Sequence, residues 1–149
     1  MGIIVTGGRG GAFLPSGMTK NGNQALTTTF AKVLAWTADT SNYPGSSIAS
    51  DGLVVQSTRT GVTVAANIVM TNASAGATNG FIQVKVGATV VASAGPISVP
   101  GFNGTATLTC SGPADVLAGD NITLEARIAV ANSVSVTGGV NSWVRVTAP

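Results

Sequence analysis

The sequence feature that most constrains the fold is an alternating segment near the C-terminus, residues 122–130. Its apolar members occupy every second position and are Ile122, Leu124, Ala126, Ile128 and Val130. Thr123, Glu125 and Arg127 stand between them, so the segment has the two-residue period of a β-strand with one buried and one solvated face. A turn signal, Gly119 and Asp120, precedes it. Such a strand needs neighbouring strands to pair with, and the rest of the chain is expected to supply them.

Most of the remaining chain consists of short segments with the composition of strands. They are rich in Val, Ile, Thr and aromatic residues, are separated by Gly, Asn and Pro turns, and span residues 27–37, 53–55, 61–70, 81–86, 89–92, 105–110, 134–136 and 142–147. No window combines a helical period with capping residues. The chain is therefore predicted to be all-β, with about eight to ten strands in an antiparallel two-sheet sandwich that closes most naturally as a jelly roll.

Residues 1–25 lack a sustained period and are rich in Gly and Asn. We interpret them as an extended N-terminal arm, followed by one jelly-roll domain over residues 26–149. The arm has more apolar side chains than a solvated linker needs, which indicates that it lies against another surface. The residues expected to make this contact are Ile3, Ile4, Val5, Arg9, Phe13 and Leu14.

The residue types present exclude the common catalytic chemistries. The 149 residues include no histidine and one cysteine, so the usual nucleophile–base pairs and the nitrogen and sulfur ligand sets of metal sites cannot be assembled. Asp115 and Asp120 could converge on a calcium ion, but the oxygen-rich loop that calcium needs is missing, and roles in turns are preferred. We predict a protein that is not an enzyme and has no catalytic residues, metal site or cofactor. Cys110 lies in an alternating segment and is expected to fill the core.

The charge pattern argues against nucleic acid and membranes as partners. Seven basic and five acidic residues give a net charge of +2, and the basic residues are scattered along the chain. No apolar run approaches the roughly 20 residues that a membrane-spanning helix needs. The first residues lack the basic leader and apolar core of a secretory signal, so the chain is expected to act where it is made or in a particle assembled there.

The order of the C-terminal strands resembles a known jelly-roll family. Residues 105–110 are followed by residues 116–124, in which the sequence LAGD precedes a strand, and the last strand opens with a Ser-Trp pair. This succession is similar to the second half of the tumour necrosis factor and complement globular-head family. The resemblance implies a trimer in which jelly rolls pack edge to sheet about a threefold axis. On that basis the trimer interface is expected to include Trp143, Arg145, Val64 and Ala66.

The chain departs from secreted members of that family because it shows no collagen repeat, membrane anchor or signal peptide and has few aromatic residues. Its low charge and its Gly, Ala, Thr and Val content resemble structural proteins of tailed bacteriophages. We therefore expect a homotrimeric capsid decoration protein that binds the major capsid protein through its arm, on the surface of virions assembled in the host cytoplasm. The alternative is a receptor- or glycan-binding head of a tail or fibre, for which Tyr43 is the candidate ligand contact.

Overall fold

Strands provide all the regular secondary structure of residues 12–149, which are the residues that the computed structural model describes. The thirteen strands are β1 (Ser16–Lys20), β2 (Gln24–Ala25), β3 (Ala31–Lys32), β4 (Trp36–Ala38), β5 (Ile48–Ala49), β6 (Gly52–Val54), β7 (Arg59–Asn72), β8 (Thr78–Val86), β9 (Thr89–Val99), β10 (Gly104–Val116), β11 (Asn121–Ile128), β12 (Val134–Val136) and β13 (Gly139–Thr147). They form two antiparallel sheets, which confirms the predicted fold class. Within this range no helix is long and apolar enough to cross a bilayer.

Seven strands form sheet 1, in the order β2-β12-β7-β13-β1-β4, with β10 on the other edge of β7. Strand β7 is its centre, because β10 pairs along one edge while β12 and β13 share the opposite edge. Its 14 residues make this possible, since each residue advances a strand by about 3.3 Å. The side chains of β7 therefore alternate between the sandwich interior and the outer face of sheet 1.

Six strands form sheet 2, in the order β5-β6-β11-β8-β9, with β3 pairing to β11 beside β6. The alternating segment that dominates the sequence is β11, and its residues Ile122, Leu124, Ala126 and Ile128 are fully buried. The intervening residues of β11 lie at the outer face of sheet 2. The strand ends at Ile128, and Val130, which continues the alternation in the sequence, is exposed.

The core lies between the two sheets and is built from alternate side chains of both. Sheet 1 contributes Ile68, Met70 and Leu108, and sheet 2 contributes Ile82 and Leu124, all of them fully buried. Burying one such side chain stabilises the folded chain by about 1.5–3 kcal/mol. Cys110 also belongs to this core with 7 % of its surface exposed, as the sequence predicted.

The N-terminal part of the sandwich begins earlier than the sequence indicated. Strand β1 lies between β13 and β4 in sheet 1, and Phe13 belongs to the core with 8 % exposure. The proposed boundary between arm and domain at residue 25 is therefore wrong, because residues 16–20 are part of the sheet. Alternation is hidden in β1 because Gly17 is buried beneath the Tyr43 ring. The predicted arm contacts Ile3, Ile4, Val5 and Arg9 lie outside the described residues.

Candidate functional site

The outer face of sheet 1 is nearly free of charge. Strands β7, β10 and β13 carry it, and its members are Thr63, Ala65, Asn67, Val69, Thr71, Thr105, Thr107, Thr109, Ser111, Pro113, Asp115, Trp143, Arg145 and Thr147. Two of these fourteen side chains are charged, Asp115 and Arg145. A water-facing sheet ordinarily carries more charge than this, whereas the centres of protein interfaces are depleted of charged residues.

The outer face of sheet 2 has the opposite character. Four charged side chains lie on it: Lys32 on β3, Lys85 on β8, and Glu125 and Arg127 on β11. Lys85 and Glu125 form an ion pair with a nitrogen–oxygen distance of 3.1 Å. The two outer faces of the sandwich are therefore chemically distinct, and sheet 1 is the face suited to contact with another protein surface.

Arg145 stands at the middle of the sheet 1 face between two aromatic rings. Its guanidinium carbon lies 3.9 Å from the centroid of the Trp143 ring and 5.6 Å from that of the Tyr43 ring. Cation–π contacts of this kind contribute about 0.5–2 kcal/mol each and fix the plane of the guanidinium. Its Nε atom is buried and has no hydrogen-bond partner within residues 12–149. We call Tyr43, Arg145 and Trp143 the arginine clamp.

Tyr43 reaches the clamp because its loop is tied to β1. The Tyr43 amide donates to the carbonyl of Asp39 at 2.9 Å, and the Ser46 hydroxyl donates to the carbonyl of Tyr43 at 2.6 Å. The amide of Gly17 in turn donates to the Ser46 hydroxyl oxygen at 3.1 Å. Gly17 leaves the space that the ring occupies, since a Cβ atom there would lie 2.5 Å from Cδ2 of Tyr43. Gly17 also pairs with Arg145 across β1 and β13.

Side-chain hydrogen bonds continue across the same face on the other side of Trp143. Asn67 donates through Nδ2 to the carbonyl of Asn141 at 2.6 Å and accepts from the Thr109 hydroxyl at 2.9 Å. Thr71 and Thr137 share a hydroxyl hydrogen bond of 2.8 Å. Asn67, Thr71 and Thr109 thus have hydrogen-bond partners within the chain, which lowers the cost of removing this part of the face from water.

The structure separates the residues that the sequence grouped as a trimer interface. Trp143 and Arg145 lie half-buried on the outer face, whereas Val64 and Ala66 are fully buried between the sheets. The assignment of Val64 and Ala66 is wrong, because side chains with no exposed surface cannot meet a neighbouring subunit. Their neighbours Ala65 and Asn67 point outward instead. Tyr43 is half-buried in the clamp rather than free in a loop.

The surroundings of Cys110 and Glu125 shift the pKa values of these two side chains. Within residues 12–149 no three His, Cys, Asp or Glu side chains are close enough to hold a metal ion. Burial raises the pKa of the Cys110 thiol to about 11, so the thiolate is scarce at neutral pH. A hydrogen bond from Gln83 lowers the pKa of Glu125, and the bond and charge of Lys85 act in the same direction.

An exposed aromatic residue, which the sequence analysis left out of its site predictions, caps the turn between β9 and β10. Phe102 is 81 % exposed and has a φ of 56°, and Asn103 follows with a φ of 62°. Gly104 donates its amide to the carbonyl of Gly101 at 3.0 Å, and Phe102 donates its own amide to the carbonyl of Ser74 at 2.7 Å. Two positive φ values make this a type I′ turn, in which Asn and Gly are usual and an aromatic residue is strained. The sequence signal for this turn is the pair Gly101 and Gly104, which flank Phe102 and Asn103.

Comparison with known proteins gives structural neighbours without sequence relatives. No family model and no curated protein matches the chain. Among solved structures, Eiger TNF from S. frugiperda matches with a TM-score of 0.63 and 12 % identity, covering 93 % of each chain. Murine APRIL at pH 8.0 matches with a TM-score of 0.54 and 11 % identity, covering 91 % of this chain and 98 % of that one. The chain therefore has the jelly-roll fold of tumour necrosis factor-like proteins.

Proposed function

We propose that this chain is a homotrimeric structural protein that decorates a bacteriophage capsid. In this proposal the outer face of sheet 1 is the interface between subunits, and the N-terminal segment is the contact with the major capsid protein. The nearly uncharged outer face of sheet 1 is the observation that carries the proposal. The low overall charge and the Gly, Ala, Thr and Val content, together with the resemblance to tailed-phage structural proteins, supply the virion context.

The arginine clamp supports the subunit interface. The rings of Tyr43 and Trp143 offer large apolar surfaces, and Arg145 is one of the residue types enriched where interfaces are strongest. The buried Nε atom of Arg145 lacks an acceptor within residues 12–149. A second copy of the chain, packed edge to sheet as in the fold family, would bring the edge strand β10 across this face. The hydroxyl and carbonyl groups of that strand are suitable acceptors.

The capsid contact is assigned to the end of the sandwich where the chain enters it. Leu14 donates its amide to the hydroxyl of Ser57 at 2.9 Å, and Ala118 donates to the adjacent Thr58 at 3.0 Å. Leu14 is 51 % exposed and Leu117 is 63 % exposed, so two large apolar side chains lie at this end. Phe13 is excluded from the contact because it is buried in the core of its own chain.

Charged substitutions on the two faces test the subunit interface. Ala65→Glu places a carboxylate at the centre of the proposed interface, where an unpaired buried charge costs several kcal/mol. We expect the wild-type chain of 14.6 kDa to give three times that mass in light scattering and Ala65→Glu to give the mass of one chain. Thr123→Glu, at a half-buried position on sheet 2, is the control and should stay trimeric. A monomeric wild-type protein at high micromolar concentration would contradict the proposal.

Binding to empty capsids tests the virion assignment separately. The full chain should sediment with shells of the major capsid protein and raise the temperature at which they burst, because a ligand that binds only the intact state stabilises it. Mixing with bacterial cells provides the comparison. A trimer that ignores capsids but adsorbs to cells would refute decoration and favour a receptor-binding head.

A receptor-binding head is the second candidate function, and Phe102 favours it. The β9–β10 turn lies next to residue 72 at the end of β7, opposite the end that contains Leu14 and Leu117. A rigid, strained turn that presents an aromatic ring to solvent is typical of a binding anchor. Phe102→Ser should abolish cell adsorption if this function holds and leave capsid binding unchanged if decoration holds.

A further inference from the structure

A basic and aromatic surface occupies the outer face of sheet 2, which the proposed trimer leaves exposed. Its residues form cross-strand rows, because Glu125 pairs with both Lys32 and Gln83, and Arg127 pairs with Phe81. Phe30 precedes β3, and its ring also contacts the guanidinium of Arg127. We call Phe30, Lys32, Phe81, Lys85, Glu125 and Arg127 the sheet 2 patch.

The positive charge of the patch is only partly neutralised by its own carboxylate. Glu125 accepts one hydrogen bond from Gln83 and forms an ion pair with Lys85, so the charge of Lys85 is compensated. Lys32 makes one long bond of 3.3 Å to the carbonyl of Ser50, and no carboxylate within residues 12–149 pairs with Lys32 or Arg127. Two positive charges therefore remain on one face of a chain whose net charge is +2.

Arg127 packs against two aromatic rings and has no carboxylate partner among residues 12–149. Its guanidinium carbon lies 3.9 Å from the centroid of the Phe81 ring and 5.1 Å from that of the Phe30 ring. These rings restrict the movement of the guanidinium without consuming its N–H groups, and no carboxylate among the described residues pairs with them. A planar guanidinium prepared in this way matches the two oxygens of a carboxylate.

We propose that the sheet 2 patch is a docking site for a partner protein that presents adjacent Asp or Glu side chains. One carboxylate would accept a bidentate bond from Arg127, and a second would pair with Lys32, while the rings of Phe30 and Phe81 cover the contact. Charge complementarity selects this partner over nucleic acid. A phosphate backbone needs an extended row of cations, and the other cations of residues 12–149 lie elsewhere, with Lys20 buried and Arg145 in the clamp.

Binding to poly-L-glutamate tests the proposal with the full chain. Biolayer interferometry at low salt should detect saturable binding of wild-type protein to the immobilised polymer. Arg127→Gln should weaken it by about tenfold or more, since a lost charge-assisted hydrogen bond has an effect of this size. Lys32→Gln, at an exposed position, is a second variant that keeps the test valid if Arg127→Gln fails to fold. Arg59→Gln is the matched control, because Arg59 is an exposed cation at the start of β7.

The outcomes distinguish a specific binding site from nonspecific electrostatic attraction. The proposal stands if the patch variants lose binding while Arg59→Gln keeps it, and if duplex DNA binds much more weakly than poly-L-glutamate. Equal losses for Arg59→Gln and the patch variants, or DNA binding as tight as that of poly-L-glutamate, would overturn it. Unchanged binding in both patch variants would overturn it as well. Because the measurement does not depend on trimer formation, its failure leaves the proposed function untouched.

Discussion

Gly17→Ala is the substitution that examines the arginine clamp most directly. The added methyl carbon would lie 2.5 Å from Cδ2 and 2.8 Å from Cε2 of the Tyr43 ring. Carbon atoms in good contact are about 3.5–4.0 Å apart, so the ring must retreat by about 1 Å. It cannot do so freely, because Ser46 and Asp39 fix the backbone on both sides of Tyr43. The retreat would loosen one of the two rings that hold Arg145.

Two effects of opposite sign determine how much Gly17→Ala changes the free energy of unfolding. Overpacking of a well-filled site costs about 1–3 kcal/mol of unfolding free energy. Replacing Gly by Ala in a compatible backbone conformation recovers about 0.4–1 kcal/mol by restricting the unfolded chain. Gly17 has no positive φ, so this recovery applies. We expect a net destabilisation of about 1 kcal/mol, from the difference between these ranges.

Urea unfolding at one fixed chain concentration measures the effect, with light scattering to follow oligomeric mass. Gly76→Ala is the matched control, because a Cβ at Gly76 has no atom within 4 Å and should leave stability unchanged or slightly raised. In a Tyr43→Ala background, Gly17→Ala should lose its cost, since the clash has been removed. A Gly17→Ala protein as stable as Gly76→Ala, or a cost that persists without the Tyr43 ring, would refute the reasoning.

Three further predictions concern other parts of the chain. Deleting residues 1–11 should leave the melting temperature near that of the full chain and abolish capsid binding, because Phe13 is the first core residue within residues 12–149; capsid binding equal to wild type would exclude this segment as the contact. The Cys110 thiol, with its pKa raised to about 11, should react with a disulfide reagent slowly in the native protein and rapidly in urea, and fast native labelling would contradict its burial. The lowered pKa of Glu125 means that its contribution to stability is complete above the ordinary value of 4.5 and is lost as the pH falls through the lower folded-state value. The difference in unfolding free energy between wild type and Glu125→Gln should therefore be constant near neutral pH and shrink in acid, and a difference independent of pH would contradict this.

The sandwich was predictable where hydrophobic alternation was unbroken. Strand β11 could be read from the sequence because its buried residues, such as Leu124, alternate with residues, such as Glu125, that only a solvated face accepts. Strand β1 could not be read from the sequence, because both of its faces are covered. Tyr43 reaches Gly17 only through a loop folded back from a distant part of the chain, and no local pattern reports such a contact.

The arginine clamp was predictable only in part, for a similar reason. Trp143 and Arg145 are two residues apart on one strand, so any strand assignment places them on the same face. Tyr43 joins them because its loop is tied to β1 by hydrogen bonds of Gly17 with Asp39 and Ser46, and these residues are far apart in the sequence. The strained turn at Phe102 was equally hidden, since its φ values depend on contacts with residues 72–75.

The sequence-based prediction placed Val64 and Ala66 on the wrong face of β7, and the observed placement favours the proposed interface. A shift of one residue moves a strand's side chains from the core to the opposite face. With Val64 and Ala66 in the core, the outward residues of β7 include Ala65 and Val69, so beyond Arg59 at its start this strand is uncharged on both faces. Strands with two uncharged faces are typical of sheets covered on both sides. Sheet 2 covers the inner face of β7, and the proposed second copy would cover the outer one, which is why a charge at Ala65 is expected to separate subunits without unfolding them.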